Sequence, residues 1–525
     1  MKRAVIFGLD GATFTVLDDL VRRGVMPYLG RFMDTGTRGF LSSTVPPLTP
    51  IAWTSMITGR TPGHHGITGF FQYNAGNPPS VRVSSARHLC VETIWSMVSR
   101  KGMRASCFNF PVHDPPPKIE GSVIPGWVTW RWLKRNSHPP ELIDRLKREV
   151  PGFDIKDLGM RYSEEKKAIA GSKLEEYDPW ILLHTQRERQ WFNVLRHSLL
   201  NDACQLTGVV FDGVDKLQHL LWKFLDPALE PANPSAEFIR VRELCWTYFR
   251  QIDQFLEETV RLAGPETTVM ITSDHGFTGT DEVLYINTWL EKEGFLTWKP
   301  QTEMAPEDSR ELGDGLPYHL FAFDMAQTQA FSAEASSNGI RINRENLRDE
   351  EYEAFRCRLK DALLTRCVDP DTGERLISRV WYREEVFGGP KMEQAPDITL
   401  TLRDNGFFSV HRSDKVLKKR PETLGTHHPY GIFIAKGPAV RHGQSIDPVR
   451  LVDITPTILY LLGLPVSAML EGRVIEEALA PEYVASHQLR IDVEESEFEQ
   501  DEFAEMAAED DPQILERLKA LGYIE

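Results

Sequence analysis

TTVMITSDHG, residues 267–276, reads as a short apolar strand closed by two ionisable residues, Asp274 and His275, and a glycine. Charged or polar side chains at the end of a buried strand need water, a partner or a metal. The same grammar recurs three times. The strand in VIFGLDGA (5–12) ends at Asp10, the one in QLTGVVFDGVD (205–215) ends at Asp212 with Asp215 and His219 beyond it, and YGIFIAKGP (430–438) follows His427 and His428. Short apolar strands alternating with helical patterns predict an α/β fold, a mostly parallel central sheet with helices on both faces. In such sheets functional residues gather beyond the carboxyl ends of the strands.

Between residues 234 and 264 Phe238, Val241, Cys245, Tyr248, Ile252, Phe255 and Thr259 recur at helical spacing, which predicts a helix packed on the sheet. A long helical pattern follows Asp10-Gly11 and ends near Gly36. Two stretches break the alternation, about 80–200 and about 290–420, and are expected to be cap-forming insertions in a domain spanning 1–490. Residues 491–525 form an acidic tail that regains helical spacing only at its end, through Ile514, Leu515, Leu518 and Leu521.

The chain has 525 residues, 41% hydrophobic and 26% charged, an ordinary globular composition. Its net charge of -16 repels a nucleic-acid backbone, so the expected partner is a small molecule, and an anionic one would need a local cationic site such as bound metal. The six cysteines form no Cys-x-x-Cys pair, and no stretch reaches the roughly 18 apolar residues of a membrane span. A cytoplasmic protein without a membrane span is expected.

Each polar position has an ordinary reading of its own. Asp10-Gly11 is also a turn dipeptide, and Asp215 with His219 is also a local pair on one helix face. Thr49, before Pro50 in PPLTPIAWTSMITGRTPGHHGI (46–67), fits a helix N-cap with proline at the first helical position. At that place its hydroxyl also sits where a helix dipole and a metal could activate it as a nucleophile. Mixed carboxylate and imidazole ligands from distant segments are the donor set of a divalent metal site.

These motifs, together with GTHHPYGIFIAKGP (425–438) and LVDITPTILYLLGLP (451–465), resemble the alkaline phosphatase superfamily, most closely its type I phosphodiesterase and nucleotide pyrophosphatase branch with related phosphohydrolase- and phosphomutase-like proteins. The resemblance implies two divalent metals, and the His-containing sites favour Zn2+ first and Mn2+ second. One would be held by Asp10, Thr49, Asp274 and His275, the other by Asp215, His219 and His427, with His428 as the substitute for His427. It also implies that Thr49 attacks a phosphate ester, giving a phosphothreonine intermediate. The chain departs from the sulfatase pattern, which needs Cys or Ser where Thr49 stands, and from the Thr-Phe-Pro-Asn of nucleotide pyrophosphatases, since Pro50, Ile51 and Ala52 follow Thr49. A phosphodiesterase-like phosphohydrolase is the leading expectation, a phosphomutase with the same metals the second. From another class comes a non-catalytic phosphate-binding protein using the acidic tail. The segment VIPGWVTWRWLKRN (123–136) offers Arg131, Lys134 and Arg135 as substrate contacts or as a basic solvated loop.

Overall fold

The strand β1 (Arg3–Leu9) is buried along almost its whole length, because it is apolar on both faces and lies in the middle of a sheet. The structure, a computed structural model, describes residues 2–74, 80–159, 161, 177–300 and 322–493. These divide into two compact units, one built from the described residues of 2–61, 85–277 and 427–493, the other from those of 62–84 and 278–426.

The first unit holds a nine-stranded sheet. Its main strands are β1, β2 (Thr37–Ser42), β3 (Ala105–Phe108), β4 (Gly121–Ile124), β5 (Leu206–Phe211), β6 (Thr267–Thr272) and β7 (Tyr430–Lys436). Their order is β2-β7-β6-β1-β5-β3-β4, with the short strands Gln444–Ser445 and Val449–Arg450 added parallel to β2. β1 pairs in parallel with both β5 and β6, while β7 runs antiparallel between β6 and β2. The sheet is thus mostly parallel, as the alternating pattern predicts.

Side chains alternate across β1 and find helices on each side. Ala4 and Ile6 join a core with Trp53, Met56 and Ile57 of α3 (Thr49–Thr58). On the opposite face Phe7 meets Phe211, which packs on Phe255, itself stacked on Phe192. These two belong to α6 (Ala236–Ala263) and α4 (Tyr177–Asn201), and α6 is capped by Ser235, whose hydroxyl accepts from the Phe238 amide.

Several local expectations are corrected. The long helix expected after Asp10 is two helices, α1 (Phe14–Arg22) and α2 (Pro27–Asp34), because the Gly24 turn at φ +72 and Pro27 break the ladder. The stretch 80–200 is not wholly an insertion, since β3 and β4 within it are strands of the main sheet. They were hidden because each is only four residues long.

The second unit contains the described residues of the range 290–420 expected as an insertion. It has its own antiparallel sheet of Ala330–Phe331, Gly339–Ile342, Ile398–Leu402 and Ile377–Tyr382, covered by the helix Tyr352–Arg366. Inside it Asp397 accepts from Tyr352 Oη at 2.6 Å and from Arg383 at 2.9 Å, a buried ion pair with its hydrogen bonds satisfied. The acidic tail lies, from residue 494 on, outside the described residues. No helix among the described residues is long and apolar enough to cross a membrane, and all six cysteines are free thiols.

Candidate active site

The carboxyl ends of β1, β5 and β6 open side by side, and each delivers residues picked out from the sequence. Asp10 follows β1. Asp215 and His219 lie on the first turns of α5 (Gly213–Leu225) after β5, and Asp274 and His275 follow β6. His427 enters just ahead of β7, and Thr49 opens α3.

His275 is the junction. Its Nε2 lies 3.6 Å from Asp10 Oδ1, 3.2 Å from Asp274 Oδ2 and 3.2 Å from Thr49 Oγ. Its Nδ1 is 3.0 Å from the Gly276 carbonyl, to which it donates, so the proton sits there and Nε2 keeps its lone pair for the site. The His275 ring stacks on His427 with centroids 3.6 Å apart. His427 repeats the arrangement: Nδ1 donates to the Pro47 carbonyl at 2.7 Å, and Nε2 lies 3.2 Å from Asp215 Oδ1 and 3.1 Å from His219 Nε2. His219 Nε2 is 3.3 Å from the same Asp215 oxygen. Two groups of ligand atoms result, Asp10-Asp274-His275 and Asp215-His219-His427, each with its atoms within 4.8 Å of one another.

Local sequence aims these groups. Gly11 takes φ +67 and passes 2.7 Å, measured from where a Cβ would stand, from the Phe277 ring, a path open only to glycine. Its amide donates to Asp274 Oδ1 at 3.1 Å. Gly213 has the same role after β5, where a Cβ would meet Glu188 Oε1 at 2.6 Å; the bare amide donates to that oxygen instead. Thr49 is not the cap expected of it: Leu48 is the extended N-cap residue and Thr49 the first helical one. Its hydroxyl makes no capping bond and faces His275.

Of the seven residues His219 is 16% exposed and the other six are sealed from water, and the electrostatics follow. Burial, reinforced by the charges of Asp274 and Asp215, pushes the Asp10 carboxyl well above its usual range. Burial likewise raises Asp274, to about 8, against the Gly11 amide that favours its anion. Asp215 goes the other way: burial opposes its ionisation, but His219 and His427 hold it well below the usual range. Burial pushes His275 and His427 down, keeping both imidazoles neutral. No N–H or hydroxyl among the described residues donates to either oxygen of Asp10 or to Oδ2 of Asp274; the two carboxyls face each other instead. Buried carboxylates with bare oxygens beside neutral imidazoles fit divalent cations, which would return the solvation that burial removes.

The structure sets His427, not His428, against Asp215; His428 lies toward Tyr430, whose amide donates to its Nδ1. Arg131, on the short helix Trp130–Leu133, and Lys134 and Arg135 just after it stay exposed, over Trp130, on Asp144 and over Trp132. Unforeseen are the residues that brace the turn after β5. Asn109, at φ +61, donates to the Val210 carbonyl and to Asp212 Oδ1, and Arg187 pairs with Asp212 Oδ2 at 3.3 Å. An asparagine just past the end of β3 was the available signal, since asparagine tolerates a left-handed backbone.

The model of the type I phosphodiesterase / nucleotide pyrophosphatase family matches residues 4–430. The chain belongs to this family. Solved structures share the family fold. Murine ectonucleotide pyrophosphatase/phosphodiesterase 5 is 14% identical, covering 91% of this chain and 100% of that one, with a TM-score of 0.51. Its human counterpart is 13% identical over 91% of this chain and 99% of that one, at 0.51. Phosphonoacetate hydrolase from Sinorhizobium meliloti 1021, in complex with phosphonoformate, is 15% identical over 88% and 95%, at 0.52. No curated protein matches the chain. The family supports a phosphoric ester hydrolase acting on small phosphate esters.

Proposed function

We propose that this member of the family is a two-metal phosphodiester hydrolase with Thr49 as its nucleophile. The observation that carries the reading is the placement of Thr49 Oγ, 3.2 Å from His275 Nε2, beside two three-residue groups joined by the His275–His427 stack. Divalent ions held by Asp10, Asp274 and His275 and by Asp215, His219 and His427, with Zn2+ preferred over Mn2+ for imidazole-rich sites, would acidify the Thr49 hydroxyl and offset phosphoryl charge.

Thr49 Oγ forms the new bond to phosphorus as the bond to the leaving oxygen breaks, giving a phosphothreonine. Water then cleaves that ester, and Thr49 regains its hydroxyl. Because Oγ belongs to the first residue of α3, the helix N-terminus favours negative charge there. His275 and His427, fixed through Nδ1 by backbone carbonyls, keep their Nε2 atoms turned inward without a reorganisation step. Phosphorus oxyanions are accepted by this fold elsewhere: the murine neighbour is also known, as an inactive variant, in complex with AMP.

The test is metal analysis of the purified protein beside a panel of aryl phosphodiesters and monoesters assayed with Zn2+ and Mn2+. The expected result is two divalent ions per chain and diester turnover that a chelator abolishes and added metal restores. Metal-loaded protein that releases no alcohol from any ester, or that only moves the phosphoryl group within a substrate, overturns the reading.

A further inference from the structure

Lys216 follows Asp215 on the first turn of α5 and is as fully buried as the groups beside it. Its Nζ lies 3.6 Å from Asp215 Oδ2, the oxygen opposite the one that meets His219 and His427. Its charge also acts on Asp10, in the other group. On its far side the Trp127 ring stands 4.9 Å from Nζ, presented by a backbone at φ +63 that a tryptophan adopts only when its surroundings hold it. The ammonium therefore lies between an aromatic face and the Asp215 carboxylate, close enough for its field to reach Asp10.

A purely structural role accounts poorly for a cation there. Orienting Asp215 needs only a neutral donor, and a positive charge against a ligand carboxylate works against any divalent ion the carboxylate binds. Two divalent ions set against three carboxylates and an ionised Thr49 leave the centre neutral. Lys216 makes it singly positive, which matches the one negative charge of a phosphodiester. We propose that Lys216 is a substrate-binding residue whose ammonium receives a non-bridging oxygen of the phosphoryl group. The inference rests on the phosphodiesterase reading and deepens it, by assigning the fixed charge that selects a monoanionic ester.

The experiment compares wild type with Lys216→Met and Lys216→Arg in three measurements: zinc affinity by competition with a chromophoric chelator, competitive inhibition by inorganic phosphate, and diester kcat and KM. Lys216→Met should bind zinc as tightly as wild type or more so, while phosphate inhibition weakens by about ten- to a hundredfold, the worth of a hydrogen bond to a charged group. Its kcat/KM should fall by at least as much, and Lys216→Arg should keep most of the phosphate binding. Should Lys216→Met fail to fold by circular dichroism, Lys216→Gln replaces it and the contrast with Arg is read in the same way. Unchanged phosphate inhibition overturns the proposal, and so does zinc binding that weakens in the Met or Gln variant, which would make Lys216 a positioning residue. A wild type inactive on every ester counts against the phosphohydrolase reading instead, so the two failures are told apart.

Discussion

A hydroxyl that caps nothing changes what its removal should do. Because Leu48 is the cap of α3, Thr49→Ala should cost only the bond to His275, about 1 kcal/mol in urea unfolding. Turnover should fall by several orders of magnitude, whereas Thr49→Ser keeps a hydroxyl and substantial activity; an active Thr49→Ala protein would refute the covalent route. Asp10 allows the opposite comparison. Among the described residues no N–H or hydroxyl donates to either of its buried oxygens, so Asp10→Asn should leave the metal-free protein at least as heat-stable as wild type while removing metal from one group. Calorimetry and metal content together check this. Away from the site, burial lowers His113 to about 4 from 6.5, with its ring between the Trp95 indole N–H and the Pro111 carbonyl. The unfolded chain then binds the extra proton first, so this group's stabilisation is whole above pH 6.5 and is lost as pH falls toward 4, by about 3 kcal/mol. Its neighbour Asp114, raised by burial to about 6 from 3.8, acts in reverse: its stabilisation is whole below 3.8 and fades as pH rises to 6. The clean readout is therefore the difference between wild type and His113→Gln, whose midpoint should vary less between pH 7 and pH 4.5.

The turn from β5 into α5 shows how a helix elsewhere holds the site. Glu188, in the middle of α4, accepts the Gly213 amide and the Tyr248 hydroxyl and so fixes the first turn of α5, which carries Asp215 and Lys216. Glu188→Gln preserves an acceptor and should remain close to wild type. Glu188→Ala leaves a buried amide unmet and should cost about 1–3 kcal/mol in urea unfolding, with weaker metal binding at the Asp215 group; equal effects of Gln and Ala would disprove this bracing. Elements of this kind mark the limit of legibility in the sequence. Strand ends were readable, because Val-Met-Ile-Thr and Val-Val-Phe cannot be other than buried while the polar residues after them cannot be idle, and those ends named the six residues of the two ligand groups; Thr49 was marked instead by the Thr-Pro step that opens a helix. Glu188, Arg187 and Asn109 were not readable, since their partners lie on other elements and nothing local marks a charge as buried. The position of Thr49 was misread by one residue for a related reason: Thr-Pro suits a cap, but the carbonyl of Leu48 already starts the helix by accepting from Ala52. The four-residue strands β3 and β4 carry too few alternations to stand out from the tryptophan- and proline-rich chain around them.

For the whole molecule, the proposed two-metal reading couples metal to fold. Ions that bind the native groups but not the scattered ligands of the unfolded chain stabilise by mass action, about 4 kcal/mol at a thousandfold excess over the dissociation constant. Chelation should lower the thermal midpoint and abolish turnover, with Zn2+ restoring both; a midpoint indifferent to chelator in a protein that had contained metal would contradict the placement of the ligands. The sheet order carries a further consequence, for the time at which the site comes into being. Among the described residues β1 pairs with β5 and β6, so Ala4 waits for Leu206 to leave the ribosome before the first ladder can close and for Thr268 before the second. At about 5–20 residues per second this is a delay of roughly ten seconds to most of a minute. Throughout it an apolar strand has no partner of its own, and His427 arrives later still. The Asp10-Asp274-His275 group can be complete before His427 has emerged, so the two groups form in that order, and the unpaired β1 is the segment that a chaperone would have to shield until β5 is out.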